Sequence, residues 1–449
     1  MFDCVVIGGG PGGYKATELL SRAGYSVALI EKNKIGGVCL NEGCIPFKTY
    51  LHTSRIKKES DKLLQDKQFT GESFRINQEN VYLYKEKIIN MLTKSIENML
   101  KAHGASVFWG EASIEKCNDG SFSIKVGNDI IECKKLIIAT GSKEVALKCD
   151  NDLSIKMIGS HDMLELTELP EQIEIVGAGA IGLEAASYFS DLGCKVILAE
   201  ASDKIGGHID SEISDALKRI LEKKGIKVYT NTFLSKINQG KVYHKYGEEQ
   251  IVTEPNLVIT AVGRISDIDE EMLKTAEVRY DKSGIIIDNQ CRTSNKNIYA
   301  CGDVTGKVML AHTAYAQAKV ISDSISGKTS IMNYDLIPKV IYSNPEVLTV
   351  GMTEEDCKEK NISYTAKSLP MTYSGKYFAE NGKDGAKAKM IIDENKKVIG
   401  FHMIANGASE LSIFAELMIA NQMTISDVKN LIFAHPTYGE IIYELVFEF

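Results

Sequence analysis

One pattern occurs twice in the sequence, and this repeat constrains the fold more than any other feature. Each copy starts with a short apolar run and continues with glycines spaced Gly-x-Gly-x-x-Gly, at residues 8–13 and 177–182. A helical stretch follows, and then a second apolar run that ends on an acid, Glu31 or Glu200. Apolar runs this short, bounded by glycines, are typical of buried parallel strands. Each copy therefore predicts a βαβ unit.

The first copy predicts a binding site for a dinucleotide. Gly8 permits a tight turn, Gly10 lets the backbone approach a pyrophosphate, and Gly13 allows the helix to pack closely on the strand. The pyrophosphate then lies at the helix N-terminus, where unpaired N–H groups favour an anion. Glu31 can accept hydrogen bonds from an adenosine ribose. A glycine triplet alone occurs in many tight loops, but the flanking strand, helix and acid favour the dinucleotide interpretation.

The second copy repeats these elements with Gly177, Gly179, Gly182 and Glu200. An acid at this position suits a free ribose hydroxyl and repels a phosphate, and no arginine follows it in residues 201–203. The pattern therefore favours NAD over NADP; the alternative is that Glu200 is a solvated charge at a strand end. Two dinucleotide folds indicate two nucleotides, most simply one tightly held flavin dinucleotide and one exchangeable nicotinamide.

Length and charge narrow the class of protein. The 449 residues predict about three domains. The net charge of −8 does not attract nucleic acid or an anionic membrane. The N-terminus has no basic region followed by an apolar run, and no apolar stretch is long enough to span a bilayer. We therefore expect a cytoplasmic protein that binds neither nucleic acid nor membrane.

The remaining sequence predicts further helices and strands. Apolar residues at helical spacing predict one long, core-facing helix over residues 84–103. Residues 107–126 are typical of a small antiparallel sheet, and residues 136–139 of a buried strand. The segment after residue 334 predicts an α+β domain, with strands at 347–350, 389–392 and 398–401 and helices at 409–419 and 425–431.

Two cysteines, Cys39 and Cys44, follow the first glycine pattern at close spacing. They can form a small disulfide loop if the backbone curls into a helix start, and a helix N-terminus lowers the pKa of a thiol. The alternatives are a structural disulfide, which a reducing compartment disfavours, a zinc site, which lacks further nearby ligands, and two unconnected thiols. The position favours a redox pair and no metal. The other cysteines are expected to be inert thiols: Cys4, Cys117, Cys133, Cys149, Cys194, Cys291, Cys301 and Cys357.

These residues resemble the pyridine nucleotide–disulfide oxidoreductases over nearly the whole chain. Residues 36–48 read Gly-Gly-x-Cys-Leu-Asn-x-Gly-Cys-Ile-Pro-x-Lys, and residues 434–440 read Ala-His-Pro-Thr-x-x-Glu. Residues 138–142 and 261–264 are similar to the family's nucleotide-domain edges. Residues 298–303, followed by Met-Leu-Ala-His, are similar to its second flavin-binding stretch.

The resemblance implies an α/β fold with two Rossmann-like domains, for FAD and NAD, and a C-terminal α+β interface domain. The expected boundaries are 1–145 and 265–330 for the two parts of the FAD domain, 146–264 for the NAD domain and 331–449 for the interface domain. The residues implied to bind FAD are Gly8, Gly10, Gly13, Glu31, Lys48, Thr140, Gly141, Asp303, Ala311 and His312. Those implied to bind NAD are Gly177, Gly179, Gly182, Glu200 and Gly263.

The resemblance also implies a set of catalytic residues. The sulfur of Cys39 is the one that a substrate thiolate attacks, and Cys44 lies next to the flavin. His435 is the catalytic base and is oriented by Glu440. Lys48 pairs with Glu184, a carboxylate on the helix of the second glycine pattern. A lone surface histidine and a solvated lysine are the alternatives. The set comprises Cys39, Cys44, His435, Glu440, Lys48 and Glu184.

Within the family, the chain is most similar to members that oxidise dihydrolipoamide with NAD. Residues 12–16 lack the arginines of glutathione reductases, and the tail lacks the cysteine pair of mercuric reductases. The implied partners are lipoyl carrier proteins of 2-oxo acid dehydrogenase or glycine cleavage complexes, and a second copy in a homodimer. The alternatives are an NAD(P)H-dependent reductase of a glutathione- or coenzyme A-type disulfide, and a non-catalytic nucleotide-binding protein.

Three features depart from the family pattern. Phe47 replaces a residue that is usually small or polar, and Ala180 stands where some members carry a larger side chain. Residues 265–267 lack the usual Pro-Asn after Gly-Arg. These departures concern substrate preference and nicotinamide affinity rather than the class of reaction.

Overall fold

The computed structural model describes residues 1–118 and 120–449, and only the backbone of residues 116–118, so the predicted inert thiol of Cys117 lies outside the described side chains. Among the described residues, no helix combines the length and apolar character needed to cross a bilayer. The chain forms two compact units. Unit 1 comprises Met1–Thr49, Tyr82–Ala146 and Gly263–Tyr334, and unit 2 comprises Tyr50–Val81, Leu147–Val262 and Asp335–Phe449. The domain boundaries expected from the sequence stay a prediction.

The helices and strands are numbered along the chain. The strands are β1 (Phe2–Ile7), β2 (Val27–Glu31), β3 (Ser106–Trp109), β4 (Ala112–Asn118), β5 (Ser121–Val126), β6 (Asp129–Ile138), β7 (Ser142–Glu144), β8 (Asp150–Asn151), β9 (Lys156–Ile158), β10 (Gln172–Val176), β11 (Lys195–Ala199), β12 (Lys227–Tyr229), β13 (Phe233–Asn238), β14 (Lys241–Tyr246), β15 (Glu249–Thr253), β16 (Leu257–Thr260), β17 (Arg264–Ser266), β18 (Ile298–Ala300), β19 (Lys339–Ile341), β20 (Glu346–Gly351), β21 (Tyr364–Pro370), β22 (Lys387–Asp393) and β23 (Val398–Ala405). The α-helices are α1 (Pro11–Arg22), α2 (Gly37–Asn41), α3 (Cys44–Gln65), α4 (Gln78–Ala102), α5 (Ser160–Met163), α6 (Ala180–Asp191), α7 (Ser211–Lys223), α8 (Glu270–Thr275), α9 (Ala311–Ile325), α10 (Glu354–Glu359), α11 (Gly375–Asn381), α12 (Ser412–Ala420), α13 (Ile425–Lys429) and α14 (Glu440–Val446).

Unit 1 is built on a parallel sheet. Its strands follow the order β3–β2–β1–β6, and β18 pairs with β6 in parallel. Every residue of β2 is buried, as expected for a strand covered on both faces. The N-terminal part of β6 pairs antiparallel with β5, which pairs with β4. The antiparallel sheet predicted over residues 107–126 is therefore correct for β4 and β5, but residues 107–109 lie in β3, which pairs in parallel with β2.

Unit 2 contains a second parallel sheet, in the order β12–β11–β10–β16–β9. This order matches that of the first sheet, so the predicted pair of Rossmann-like folds is confirmed. The C-terminal part of unit 2 is an antiparallel sheet in the order β19–β20–β23–β22–β21, and its core is closed by α12, α13 and α14. The predicted α+β organisation after residue 334 is therefore confirmed as well.

Two predicted helices differ from those observed. The long helix α4 begins at Gln78, six residues before the predicted start, because the Asn77 side chain accepts the Asn80 N–H at 3.0 Å and caps it. Leu92, predicted to face the core, is 39% exposed. In the C-terminal domain, residues 408–411 form a 3₁₀ turn before α12, where one continuous helix was predicted.

The two glycine patterns fold alike in atomic detail. Gly8 and Gly177 have φ values of +101° and +103°, which residues with a Cβ rarely adopt. A Cβ added to Gly13 or Gly182 would lie 1.8 or 1.9 Å from the carbonyl oxygen of the first glycine in the same copy. The close approach of helix to strand therefore requires glycine at the third position of each pattern.

Replacement of the third glycine in the second copy is expected to destabilise the protein. Gly182→Ala should lower the free energy of unfolding by at least about 1–3 kcal/mol, the usual cost of over-packing, because the new methyl group would clash with backbone. Gly179→Ala is the matched control, since φ is −75° there and no atom lies within 4 Å of the added Cβ. Urea unfolding of both variants measures the difference, and equal loss of stability would contradict this account.

Candidate active site

The two close cysteines of unit 1 lie where one helix ends and the next begins. Cys39 is in the short helix α2, and Cys44 is the first residue of α3. The Asn41 amide donates to the carbonyl oxygens of Ile35 and Gly37, at 3.2 and 2.9 Å, and so fixes α2. The turn between the helices brings the two thiols into hydrogen-bonding contact. The pair is therefore placed to exchange between a dithiol and a disulfide.

The surroundings of Cys39 control its ionisation. The hydrogen bond with the Cys44 side chain, followed by burial and by the negative charge on Cys44, raises the pKa of the Cys39 thiol. The positive charge of Lys48, one turn along α3, lowers the pKa of the same thiol. The two side chains therefore act on the pKa of the Cys39 thiol in opposite directions, and the effect of Cys44 is the larger one.

The acids at the end of β2 and directly after β11 hold the glycine loops in shape. Glu31 accepts the N–H groups of Gly9 and Asn33, at 2.6 and 2.7 Å. In the second copy, Glu200 accepts the N–H groups at the corresponding positions, at 2.6 and 2.8 Å. Sequence reasoning assigned both acids to ribose only and missed this role. The equal spacing of 22 residues between loop donor and acid in the two copies was the available signal.

The N-termini of α1 and α6 fit the pyrophosphate of a dinucleotide. In the part of the chain that the structure describes, neither terminus is capped by a side chain. A Cβ on Gly10 would have its nearest neighbour at 3.9 Å, and a Cβ on Gly179 would have none within 4 Å. Each loop thus leaves space beside unpaired N–H groups, which is where an anion binds a helix.

A second group of predicted FAD residues meets in unit 1. The Asp303 carboxylate accepts the Ser142 hydroxyl at 2.6 Å, and the Thr140 hydroxyl donates to a backbone carbonyl at 3.0 Å. Gly141 has a φ of +84°, and Ala311 and the exposed His312 open α9. These residues lie in three separate sequence segments that the sheet of unit 1 brings together.

Two polar residues that sequence reasoning did not assign hold this group in place. The Arg264 guanidinium donates to the hydroxyl and the carbonyl oxygen of Ser142, both at 2.8 Å. The Gln317 amide oxygen accepts the Gly302 N–H at 2.7 Å, next to Asp303. Gly263, predicted for the NAD site, has a φ of +113° and directly precedes the arginine.

The predicted base and its carboxylate form a defined pair in unit 2. His435 Nδ1 lies 2.7 Å from Glu440 Oε1, and Glu440 Oε2 accepts the Thr437 N–H at 2.8 Å. The His435 side chain is 78% exposed. One ring nitrogen thus bonds the carboxylate, and the imidazole lies at the surface of unit 2.

The Glu440 carboxylate is held in its charged form. The hydrogen bond from His435 and then the backbone N–H of Thr437 lower the pKa of Glu440. A carboxylate fixed beside an imidazole stabilises the protonated ring, as in a catalytic triad. The pair therefore has the parts of a general acid–base centre.

Other predicted residues occupy defined places within their own units. Glu184, on α6, is buried and accepts the Tyr342 N–H at 3.0 Å in unit 2. Ala180 is exposed at the first position of α6, and Phe47 is buried in α3. Within the described ranges 1–118 and 120–449, no three His, Cys, Asp or Glu side chains are grouped as metal ligands.

Two nucleotide-binding sheets, a dithiol beside the first, and an exposed histidine–carboxylate pair define a nucleotide-dependent dithiol oxidoreductase. The family model described as pyridine nucleotide-disulphide oxidoreductase matches residues 2–318, and the model of its dimerisation domain matches residues 337–446. The chain belongs to the pyridine nucleotide-disulphide oxidoreductase family. The prediction of FAD and NAD is confirmed at the level of this family, whose members use both nucleotides.

Relatives and solved structures match over almost the full length. Dihydrolipoyl dehydrogenase from Geobacillus stearothermophilus is 32% identical over 98% of this chain and 95% of its own. The protein of that name from Buchnera aphidicola is 34% identical, covering 98% and 94%. The flavoprotein disulfide reductase RclA from Escherichia coli superposes with a TM-score of 0.86 at 25% identity over 99% of both chains. LpdA from Mycobacterium tuberculosis, with a TM-score of 0.88 at 19% identity over 99% of both chains, supports the fold alone.

Loss of the histidine is expected to raise the pKa of Glu440. His435→Gln removes the strongest of the interactions that lower this pKa, and a ¹³C NMR titration of the carboxyl group measures the change. Because the folded-state pKa is lowered, the stability that Glu440 contributes is present above the pKa of an ordinary glutamate and is lost as pH falls through the lowered value. Asp427, whose pKa is lowered by the N–H and hydroxyl of Thr424, should be unaffected; an unchanged Glu440 titration would contradict the pairing.

Proposed function

We propose that the protein is a dihydrolipoyl dehydrogenase, which oxidises protein-bound dihydrolipoamide to lipoamide and reduces NAD to NADH. The observation that carries this proposal is the hydrogen-bonded pair of Cys39 and Cys44 at the junction of α2 and α3, which follows the first βαβ unit. Support comes from full-length relatives that carry the name dihydrolipoyl dehydrogenase.

The oxidised form of the cysteine pair is the proposed electron acceptor for the dithiol. One substrate thiolate attacks Cys39 Sγ, the Cys39–Cys44 bond breaks, and Cys44 leaves as a thiolate. The second substrate sulfur then attacks the first, which releases Cys39 and closes the lipoamide ring. One disulfide is thus consumed, one is formed, and the enzyme keeps the electron pair as a dithiol.

His435 of the partner subunit is the proposed base for this exchange. It takes the proton from the substrate thiol and later returns it, and Glu440 keeps the ring oriented and stabilises its charged form. The exposed position of the His435 ring supports a role toward another chain, and the match of residues 337–446 to a dimerisation domain supports a homodimer.

A flavin and NAD are the two nucleotides that would complete the path of the electron pair from the dithiol. A flavin held by unit 1 would supply the two-electron chemistry that links a thiolate to hydride transfer to a nicotinamide. We assign Cys44 as the thiolate next to the flavin. Lys48, with Glu184 as its proposed counter-ion, supplies a cation that favours the reduced ring. Gly10 and Gly179 give the space for the two pyrophosphates.

The proposed partners are lipoyl carrier proteins of 2-oxo acid dehydrogenase or glycine cleavage complexes. Their swinging arms present an uncharged dithiol amide, which suits an enzyme whose relatives are named for dihydrolipoyl groups. We also propose a cytoplasmic location, where reducing conditions keep the scattered cysteines as thiols.

Replacement of the second cysteine should separate cofactor binding from turnover. Cys44→Ser is expected to keep a yellow flavin and to lose NAD-linked oxidation of dihydrolipoamide, because the disulfide cannot form. Absorbance spectra and a coupled NADH assay measure the two properties. Cys149→Ser changes a half-buried cysteine in unit 2 and serves as the control, which should turn over normally. Normal turnover by Cys44→Ser would refute its role.

Replacement of the base should slow the dithiol half-reaction. His435→Gln is expected to reduce the rate of flavin reduction by dihydrolipoamide by about 10²–10⁴-fold, the usual effect of losing a general base. Stopped-flow spectroscopy measures this step separately from NAD reduction. His103→Gln, a substitution beyond the end of α4, is the matched control. A His435 variant as fast as this control would exclude histidine as the base.

A further inference from the structure

We propose that Tyr14 and Tyr315 form an uncharged, hydroxyl-bearing rim beside Cys39 that favours neutral thiol substrates over anionic ones. These two residues are called the tyrosine pair. The inference extends the proposed function, because it explains how the entrance to the reactive sulfur would distinguish a dihydrolipoyl amide from negatively charged thiols and disulfides. All residues involved belong to unit 1.

Backbone packing places the start of α1 beside the helix that carries Cys39. A Cβ added to Gly37, the first residue of α2, would lie only 2.7 Å from the Cα atom of Gly10, which directly precedes α1. Tyr14 is on the first turn of α1, and Cys39 is two residues after Gly37. The phenol and the thiol therefore project from helix starts that are in contact.

A second close approach brings α9 to the same place. A Cβ on Gly12 would lie 3.5 Å from the Cβ of Ala314, so α1 and α9 cross with almost no space between their backbones. The next residue on α9 is Tyr315, whose hydroxyl is hydrogen-bonded to that of Tyr14. Their ring centroids are 5.9 Å apart at an interplanar angle of 66°. Tyr14 is 9% exposed and Tyr315 is 36% exposed, so the pair reaches from the interior to the surface.

The cation next to the tyrosine pair is itself paired with a carboxylate. Lys15 Nζ lies 2.6 Å from Glu18 Oε2 and 5.5 Å from the centroid of the Tyr315 ring. Arg22 Nε lies 3.4 Å from the other oxygen of Glu18. The lysine is thus covered by a carboxylate on one side and an aromatic face on another, which leaves little attraction for an incoming anion.

The electrostatics of Tyr14 agree with a position near the reactive sulfur. Burial, the hydrogen bond with Tyr315, and the negative charges that Tyr315 and Cys39 would carry together raise the pKa of Tyr14. The phenol therefore stays protonated, and the pair offers hydroxyl donors and apolar ring faces without charge. Such a rim can hydrogen-bond a neutral amide or thiol, whereas a carboxylate would lose hydration there without gaining a cation from the tyrosine pair.

Alkylation of Cys39 measures this selectivity directly. In the reduced Cys44→Ser protein, the thiol proton of Cys39 passes to solvent and the thiolate displaces iodide from neutral iodoacetamide or anionic iodoacetate. Mass spectrometry of the peptide that contains Cys39 measures the rate of each reaction. We expect the ratio of the iodoacetamide rate to the iodoacetate rate to be higher for the protein than for N-acetylcysteine. Glu18→Gln, which exposes the charge of Lys15, and Tyr315→Ala, which removes the ring above it, should each shift the ratio several-fold toward iodoacetate.

A matched control lies at the other end of the same two helices. The Tyr25 hydroxyl, just beyond α1, donates to the carbonyl oxygen of Ile325 at 3.2 Å, so Tyr25→Phe removes one hydroxyl from the same packing without touching the rim. Its alkylation ratio should equal that of the parent protein. If Glu18→Gln and Tyr315→Ala also keep the parent ratio, the proposed rim is wrong.

The contribution of the hydroxyls is tested in the protein with Cys44 intact. Tyr14→Phe and Tyr315→Phe should raise KM for dihydrolipoamide by about 2–10-fold, the effect of one neutral hydrogen bond, with kcat unchanged. NADH oxidation by an artificial acceptor that needs no dithiol should not change. Unchanged KM values in both variants would count against the rim. If the parent protein is inactive with dihydrolipoamide, the proposed function is refuted, and the alkylation ratio still tests the rim.

Discussion

The hydrogen bond between the Gly9 N–H and the Glu31 carboxylate is the contact on which the reactive part of unit 1 depends. At 2.6 Å it ties the end of β2 to the loop before α1. The carbonyl of the same residue, Gly9, accepts the Gly36 N–H at 2.8 Å and so holds the segment that leads into α2. The nucleotide loop and the cysteine pair therefore share one support, and a change in either displaces the other.

The second copy shows what the repeated scaffold provides and what was added to it. There, Glu200 holds the loop in the same way, and the Ala178 carbonyl accepts the Gly206 N–H, again at 2.8 Å. After this bond the copies diverge. Each continues through a second glycine, but the first then enters a helix with Cys39, whereas the second runs on to the buried N-cap Asp210 of α7. One folding unit thus leads into the cysteine pair in one copy and into a structural helix cap in the other.

Much of this fold could be predicted because the signals are local. Strand, glycines, helix and acid follow one another within about thirty residues, and the spacing alone indicates a βαβ unit. The same holds for His435 and Glu440, which are five residues apart and meet in the structure at 2.7 Å. The start of α4 was misplaced because one side-chain hydrogen bond at Asn77 outweighed the apolar periodicity on which the prediction depended.

Contacts between distant segments could not be predicted in this way. Tyr14 and Tyr315 are 301 residues apart, and Arg264 and Ser142 are 122 apart, so no spacing in the sequence relates them. They meet because small residues let backbones approach: Gly12 brings α9 against α1, and Gly37 brings α2 against the same helix. Gly12 and Gly37 had no role assigned from the sequence, yet the close approaches they allow decide which side chains surround Cys39.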